Sequence, residues 1–375
     1  MSKTGVSYLA LSEADMIKAG VTDMSRCVKV IEETFDLLGK GDYLMGGPSE
    51  NSHGLMIWFP DEKRTENMPV AGPDRRFMGM VAYLGGRFNL CGNKWYGSNV
   101  ANKEKGLPRS ILMITLNDVD TGAPLCFASG NLVSSMRTGA VPGVATKYLQ
   151  SSNAKTAGIV GAGVISHAIT LAIAETLNGG DEREIKVYDI IPEVTDRFCK
   201  ELGELTGIKM TPVRSMEECV RGSDIISVAA SGAHPAEIKD EWLKDGAVVE
   251  LTGCADIDEE TYKNCRLVFD DWKMHLDWLE EGIQRGSLDS LDSWAGSARA
   301  LKMYHDGKLK GEDMIDLGDI VNGKKCGRKD DKEKIIFIAG GLPVEDVAWC
   351  SECYYRALEM GLGQKIAVWE EAHWA

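Results

Sequence analysis

Apolar positions change their period along this chain. Residues 24–38 place Met24, Cys27, Val28, Ile31, Phe35 and Leu38 at helical spacing, which predicts an amphipathic helix closed by Gly39-Lys40-Gly41. Upstream, Ser12 followed by Glu13 and Asp15 reads as a helix N-cap with an acidic first turn. Short apolar runs at 55–59, 77–84, 111–117 and 124–129 predict strands. The turn Asp120-Thr121-Gly122 makes the last two a hairpin, so this N-terminal α+β part carries an at least partly antiparallel sheet. Residues 134–149 return to helical spacing. Beyond them, apolar runs at 156–160, 185–188, 225–229, 247–251 and 267–269 alternate with helical stretches at 167–177, 193–205 and 216–220. That alternation predicts an α/β fold with a parallel, doubly wound sheet. The charged residues 324–334 predict a solvated loop, and 345–360 a helix closed by Gly361-Leu362-Gly363.

The run at 156–160 ends in Gly161-Ala162-Gly163-Val164-Ile165-Ser166, and the next run ends in Asp189. Strand, glycine turn, helix, strand and acid, in that order, form the Rossmann-type dinucleotide fingerprint. Gly161 permits the tight turn, Gly163 lets the backbone approach a pyrophosphate, and the small Ser166 allows close helix–strand packing. The helix start at Val164 and Ile165 offers N–H groups and the positive dipole end to phosphate. Asp189, with Ile190 beside it, can accept from a ribose diol and would repel a 2′-phosphate, so NAD is expected over NADP. The gap from Gly163 to Asp189 exceeds the usual ~20 residues, and the loop around Gly179-Gly180 absorbs the excess. The bland alternative is a glycine turn that binds nothing.

The 375 residues allow two domains, and 44% apolar residues allow a sizeable core. A net charge of −15 argues against nucleic acid or an anionic membrane as partner. No apolar run is long enough to span a membrane, and the first residues lack the apolar stretch of a secretion signal. The ten cysteines are scattered, as expected of free thiols in a reducing cytoplasm. Cys350 and Cys353 read as buried small hydrophobes, and no histidine spacing points to a metal.

Three further segments carry a resemblance: Gly92-Asn93-Lys94-Trp95-Tyr96-Gly97-Ser98-Asn99, Gly122-Ala123-Pro124-Leu125, and Leu132-Val133-Ser134-Ser135-Met136-Arg137-Thr138-Gly139-Ala140. With the fingerprint, Val268-Phe269-Asp270-Asp271-Trp272 and Gly361-Leu362-Gly363-Gln364-Lys365, they resemble the ornithine cyclodeaminase/μ-crystallin family over essentially the whole chain. The variants at Lys94-Trp95, Ser135-Met136-Arg137 and Asp270-Asp271-Trp272 look most like its N-(2-amino-2-carboxyethyl)glutamate dehydrogenase branch. The resemblance implies a Rossmann-type cofactor domain (134–344) inserted into a substrate and dimerisation domain (1–133 with a return at 345–375), and a homodimer. It implies hydride transfer at a carbon bearing nitrogen, on an amino acid or N-substituted amino acid. Cyclodeaminases of the family return the hydride and release ammonia. μ-Crystallin exemplifies a third, non-catalytic reading, a nucleotide-regulated binding protein.

The resemblance also implies roles. Lys94 matches the family lysine at the substrate, Arg137 the family arginine that grips carboxylate, and Thr138 adjoins the cofactor. Arg76 and Arg109 are added cations for further carboxylates, with surface arginines as the plain alternative. Where cyclodeaminases carry a catalytic Asp after a glycine, this chain has Cys254. Asp256, two residues on, is the candidate base, or else a cap of the following helix. Ala339-Gly340-Gly341 replaces polar family residues, 45–49 lacks an arginine found in many members, and His234 is a lesser candidate beside the cofactor.

Overall fold

The computed structural model describes residues 5–230 and 235–374. The chain forms two compact units. The first comprises Met1–Asp23, Asp42–Ser134 and Leu342–Ala375, and the second Met24–Gly41 and Ser135–Gly341.

In the first unit an eight-stranded sheet runs in the order Gln364–Trp369, Val6–Leu11, Pro124–Ser129, Ser110–Asp118, Leu90–Ser98, Arg76–Leu84, Tyr43–Met45, with Leu55–Trp58 also pairing to Arg76–Leu84. Only the pair Val6–Leu11 and Pro124–Ser129 is parallel. One face is apolar and buried, with Met78, Met80, Leu84, Leu112, Ile114 and Leu116 inward at the alternate positions that the pleat dictates. The helix Pro343–Glu359 covers this face. It comes close because Gly92 lacks a side chain: a Cβ there would lie 2.6 Å from Val347 Cγ2. The other face leaves Phe77, Val81, Trp95, Ile111 and Phe127 exposed.

The second unit is built on eight strands, all parallel, in the order Lys209–Pro212, Glu184–Tyr188, Thr156–Val160, Ile225–Val228, Val248–Leu251, Ile335–Ile338, Arg266–Phe269, Met314–Asp316. Both faces are covered, so the central strands are apolar at every position but a few. Strand order reverses beside Thr156–Val160, the switch point where such sheets bind ligands. The helices Asn131–Leu149 and Val164–Thr176 pack through small residues: a Cβ on Gly139 would stand 2.4 Å from the Ala168 carbonyl carbon.

This is an α/β fold with the doubly wound parallel sheet that the alternation predicts. One local expectation changes and a second, the solvated loop, gains a detail. The helix Met24–Lys40 groups with the second unit, although a boundary at 133 puts it in the first, because Gly39 and Gly318 let it meet the helix Leu317–Val321 backbone to backbone. The charged loop 324–334 is anchored: Arg328 donates to the Leu149 and Gly246 carbonyls at 2.8 and 2.9 Å, and Asp331 accepts from Ser152. No helix among the described residues is long and apolar enough to cross a membrane.

Candidate functional site

The glycine turn is formed as its sequence requires. Gly161 takes φ +91°, and a Cβ there would lie 3.0 Å from Ala230 Cα. Gly163 is the N-cap of Val164–Thr176 in extended conformation and supplies no side-chain cap to the helix. Among the described residues, nothing lies within 4 Å of where a Cβ on Gly163 would stand. Such a terminus suits an anion. Asp189 is half-buried at the next strand end, where its Oδ2 accepts the Ala162 N–H at 2.9 Å and its Oδ1 the Ile191 N–H at 3.0 Å. The acid thus ties the two loops of the fingerprint together. Val164 and Ile190 are 71% and 82% exposed, apolar side chains held in solvent beside it. Ile165 sits in the first helical turn, half-buried, and Thr138 lies half-buried on Asn131–Leu149. His234 lies outside the described residues.

In the first unit, Lys94 points to the inner face of Leu90–Ser98 and is 3% exposed. Its Nζ donates to Asp346 Oδ2 at 2.7 Å and stands 3.4 Å from Ser134 Oγ and 5.8 Å from the Tyr96 ring centroid. Asp346 is 1% exposed, in the first turn of Pro343–Glu359. Both partners of this ion pair are buried, so removing either is costly to the other in a low dielectric. Arg76 donates to the Tyr96 hydroxyl at 3.2 Å and pairs with Asp74; its buried Nε has no hydrogen-bond partner among the described residues. Arg109 is half-exposed and also pairs with Asp74, at 3.2 Å, while Ser98 donates to the same carboxylate. The two candidate arginines are therefore brought together on one internal acid, and each reaches any anion already partly neutralised.

Arg137 is 4% exposed in the second unit, and a Cβ on Gly341 would stand 2.7 Å from its Nη1. Asp256 is exposed and pairs with Arg299 at 3.2 Å. It does not cap the next helix; Asp258 does, accepting the Thr261 N–H at 2.7 Å. Cys254 is half-buried, and burial, then the nearby Asp292 charge, push its thiol above the usual range. Two features escape sequence reading. One is Asp346 as counterion of Lys94. The other is an array of Asp270, His275 and Ser297 behind the Gly340-Gly341 turn. Asp270 stood within a motif of the resemblance, whereas His275 carried no spacing signal.

The model of the ornithine cyclodeaminase/mu-crystallin family matches residues 20–361. The chain belongs to this family. Alanine dehydrogenase of Archaeoglobus fulgidus is 28% identical over 296 residues, 76% of this chain and 82% of that one. N-((2S)-2-amino-2-carboxyethyl)-L-glutamate dehydrogenase of Staphylococcus aureus is 26% identical over 78% of this chain and 82% of that one. Other family relatives are pyrroline-2-carboxylate reductases and an ornithine cyclodeaminase. Among solved structures, an archaeal alanine dehydrogenase dimer with bound NAD superposes with a TM-score of 0.78 at 25% identity, covering 97% of this chain and all of that one. The pyrroline-2-carboxylate reductase of Thermococcus litoralis, with NADH and L-proline, gives 0.75 at 28%, covering 96% and 100%. The chain is an enzyme of this family, which sets aside the purely ligand-binding reading.

Proposed function

We propose that this enzyme is an NAD-dependent oxidoreductase acting on the C–N bond of an amino acid or N-substituted amino acid. Bound NAD would supply the hydride acceptor for the substrate α-carbon. Gly161, Gly163 and the uncapped N–H groups at Val164 and Ile165 would hold its pyrophosphate, with Thr138 alongside. Asp189 would take the ribose diol, which favours NAD over NADP, and the exposed Val164 and Ile190 give apolar surface for the adenine. Arg137 presents a planar fork for an α-carboxylate. Lys94, paired with Asp346, would hold a carboxylate or orient the amine. Arg76 and Arg109, half-neutralised by Asp74, suit a second carboxylate better than the first. Water, with Asp256 as base if Arg299 releases it, would convert the imine to a 2-oxo acid and an amine.

The observation that favours net dehydrogenation over cyclodeamination is the end of Val248–Leu251. The residue matching the cyclodeaminase Asp is Cys254, a thiol that burial keeps protonated, and the nearby Asp256 is exposed and paired. A screen of amino acids and N-carboxyalkyl amino acids with NAD, reading NADH absorbance and ammonia together, tests this. NADH with substrate supports it. Ammonia and a cyclic imino acid without NADH would refute it.

We also propose a homodimer through the exposed sheet face of the first unit. There Phe77 stacks on Trp95 at 5.8 Å, and a groove of about 450 Å³ opens between Phe59, Trp95, Ile111 and Met113. Apolar residues gathered on one sheet face mark an interface. A cytoplasmic location belongs to the same proposal, since no disulfide forms among the described residues.

A further inference from the structure

At the C-terminal ends of the parallel strands lies a buried serine–histidine–carboxylate array. Ser297 Oγ is 2.8 Å from His275 Nδ1, and His275 Nε2 is 2.8 Å from Asp270 Oδ1. The order is that of a nucleophile relay. Yet Ser297 and His275 are 0% exposed and Asp270 is 1% exposed, so no acyl group can reach the hydroxyl.

The second carboxylate oxygen shows what the array holds. Asp270 Oδ2 accepts the Gly340 N–H at 2.6 Å and the Gly341 N–H at 2.8 Å, while Oδ1 also accepts the Asp271 N–H at 2.9 Å. Burial alone would raise this carboxyl. The His275 hydrogen bond and charge, with the Gly341 and Asp271 amides, reverse that and hold it below the usual range. The tethered turn is wedged on both sides. A Cβ on Gly340 would overlap Met274 and Trp278 of the helix Trp272–Gln284, and one on Gly341 would press on Arg137 Nη1 at 2.7 Å. Gly341 has φ +84°, so the turn has little freedom to be built from other residues.

We propose that Asp270, His275 and Ser297 are positioning residues: they fix the Gly340–Gly341 turn and, through it, the guanidinium of Arg137. The link to substrate rests on the carboxylate role assigned to Arg137. A long side chain that is already immobilised loses less entropy on binding, and its fork stays in register with a carboxylate. The turn lacks polar side chains because its backbone amides make the contacts.

The test uses H275Q, S297A and D270N in the full chain, with melting temperatures to confirm folding. Three quantities are read: amide exchange of the peptide containing Gly340 and Gly341, NADH affinity, and KM and kcat for the amino acid that reduces NAD. The turn amides should exchange at least roughly tenfold faster in folded H275Q and D270N. NADH affinity should stay level, and KM should rise more than kcat falls. In an R137A background H275Q should add little to KM, because coupled residues are not additive. Unchanged exchange in folded variants would overturn the tether. Faster exchange with fully additive KM effects would overturn its link to Arg137. If R137A alone leaves KM unchanged, the carboxylate reading of Arg137 fails, while the exchange result still decides the tether.

Discussion

Glu250 offers a quantitative test of how the second unit is held together. It sits in the central strand Val248–Leu251 with a relative exposure of 0%, and Thr146 Oγ1 donates to its Oε1 at 2.8 Å. Its Oε2 is buried and has no hydrogen-bond partner among the described residues. Burial pushes this carboxyl up to about 8 from the usual 4.5, against smaller lowering contributions from Thr146 and Ser227. The proton is therefore held in the folded state across a window in which the unfolded chain has released it. Below pH 4.5 both states are protonated, and above 8 both are ionised. Between these limits unfolding releases a proton, so stability falls as pH rises, by about 1.4 kcal/mol per unit. Across the window the loss is about 4–5 kcal/mol. Gln keeps the shape and an acceptor for Thr146 but cannot ionise. Urea unfolding of wild type and Glu250→Gln from pH 5 to pH 9 reads the effect. The variant should match wild type within about 1–2 kcal/mol at pH 5, where only one buried polar group changes. It should overtake wild type by about 3 kcal/mol or more at pH 8.5. Parallel stability curves for the two proteins would refute the reasoning, because they would show that Glu250 carries no excess proton when folded.

Three further outcomes are expected. Asp346→Asn leaves Lys94 as a buried cation without its countercharge; it should cost about 3–5 kcal/mol in thermal unfolding and most of the turnover, with partial rescue by Asp346→Glu. Asp189→Ser removes the proposed ribose acceptor and the proposed repulsion of a 2′-phosphate, and should shift the ratio of kcat/KM for NADP over NAD upward by roughly tenfold or more, measured with one substrate and both cofactors. Val81→Glu places a charge on the exposed apolar sheet face and should convert the proposed dimer to monomer in sedimentation, with NAD affinity unchanged.

The parallel sheet was legible because strands buried on both faces read as unbroken apolar runs between Gly-rich turns. The strand Leu90–Ser98 was not. Its inward positions include Gly92, Lys94 and Ser98, and its outward ones include Trp95, so polar and apolar residues stand on the faces opposite to expectation. In the glycine turn only Gly161 answers to a local backbone demand, its positive φ; Gly163 is extended with open space beside it. Lys94 and Arg137 entered through resemblance, and geometry then supplied what a linear pattern withholds. The partner of Lys94 is 252 residues away, and the acid engaged by Arg76 and Arg109 is reached by loop geometry. Asp256 and Asp258 look interchangeable in sequence; only backbone direction makes one a cap and leaves the other in solvent with Arg299.

The distance between Lys94 and Asp346 also sets a clock. A ribosome delivers Lys94 long before the helix Pro343–Glu359, and the strand Gln364–Trp369 that pairs with Val6–Leu11 comes later still. During synthesis the first unit must wait with its sheet uncovered, while the glycine turn and its parallel strands are already complete. A chain cut short before this helix would hold the glycine turn and its parallel strands but not the carboxylate that pairs with Lys94. In order of synthesis, then, the turn proposed to hold the cofactor precedes the ion pair at the lysine proposed to hold the substrate.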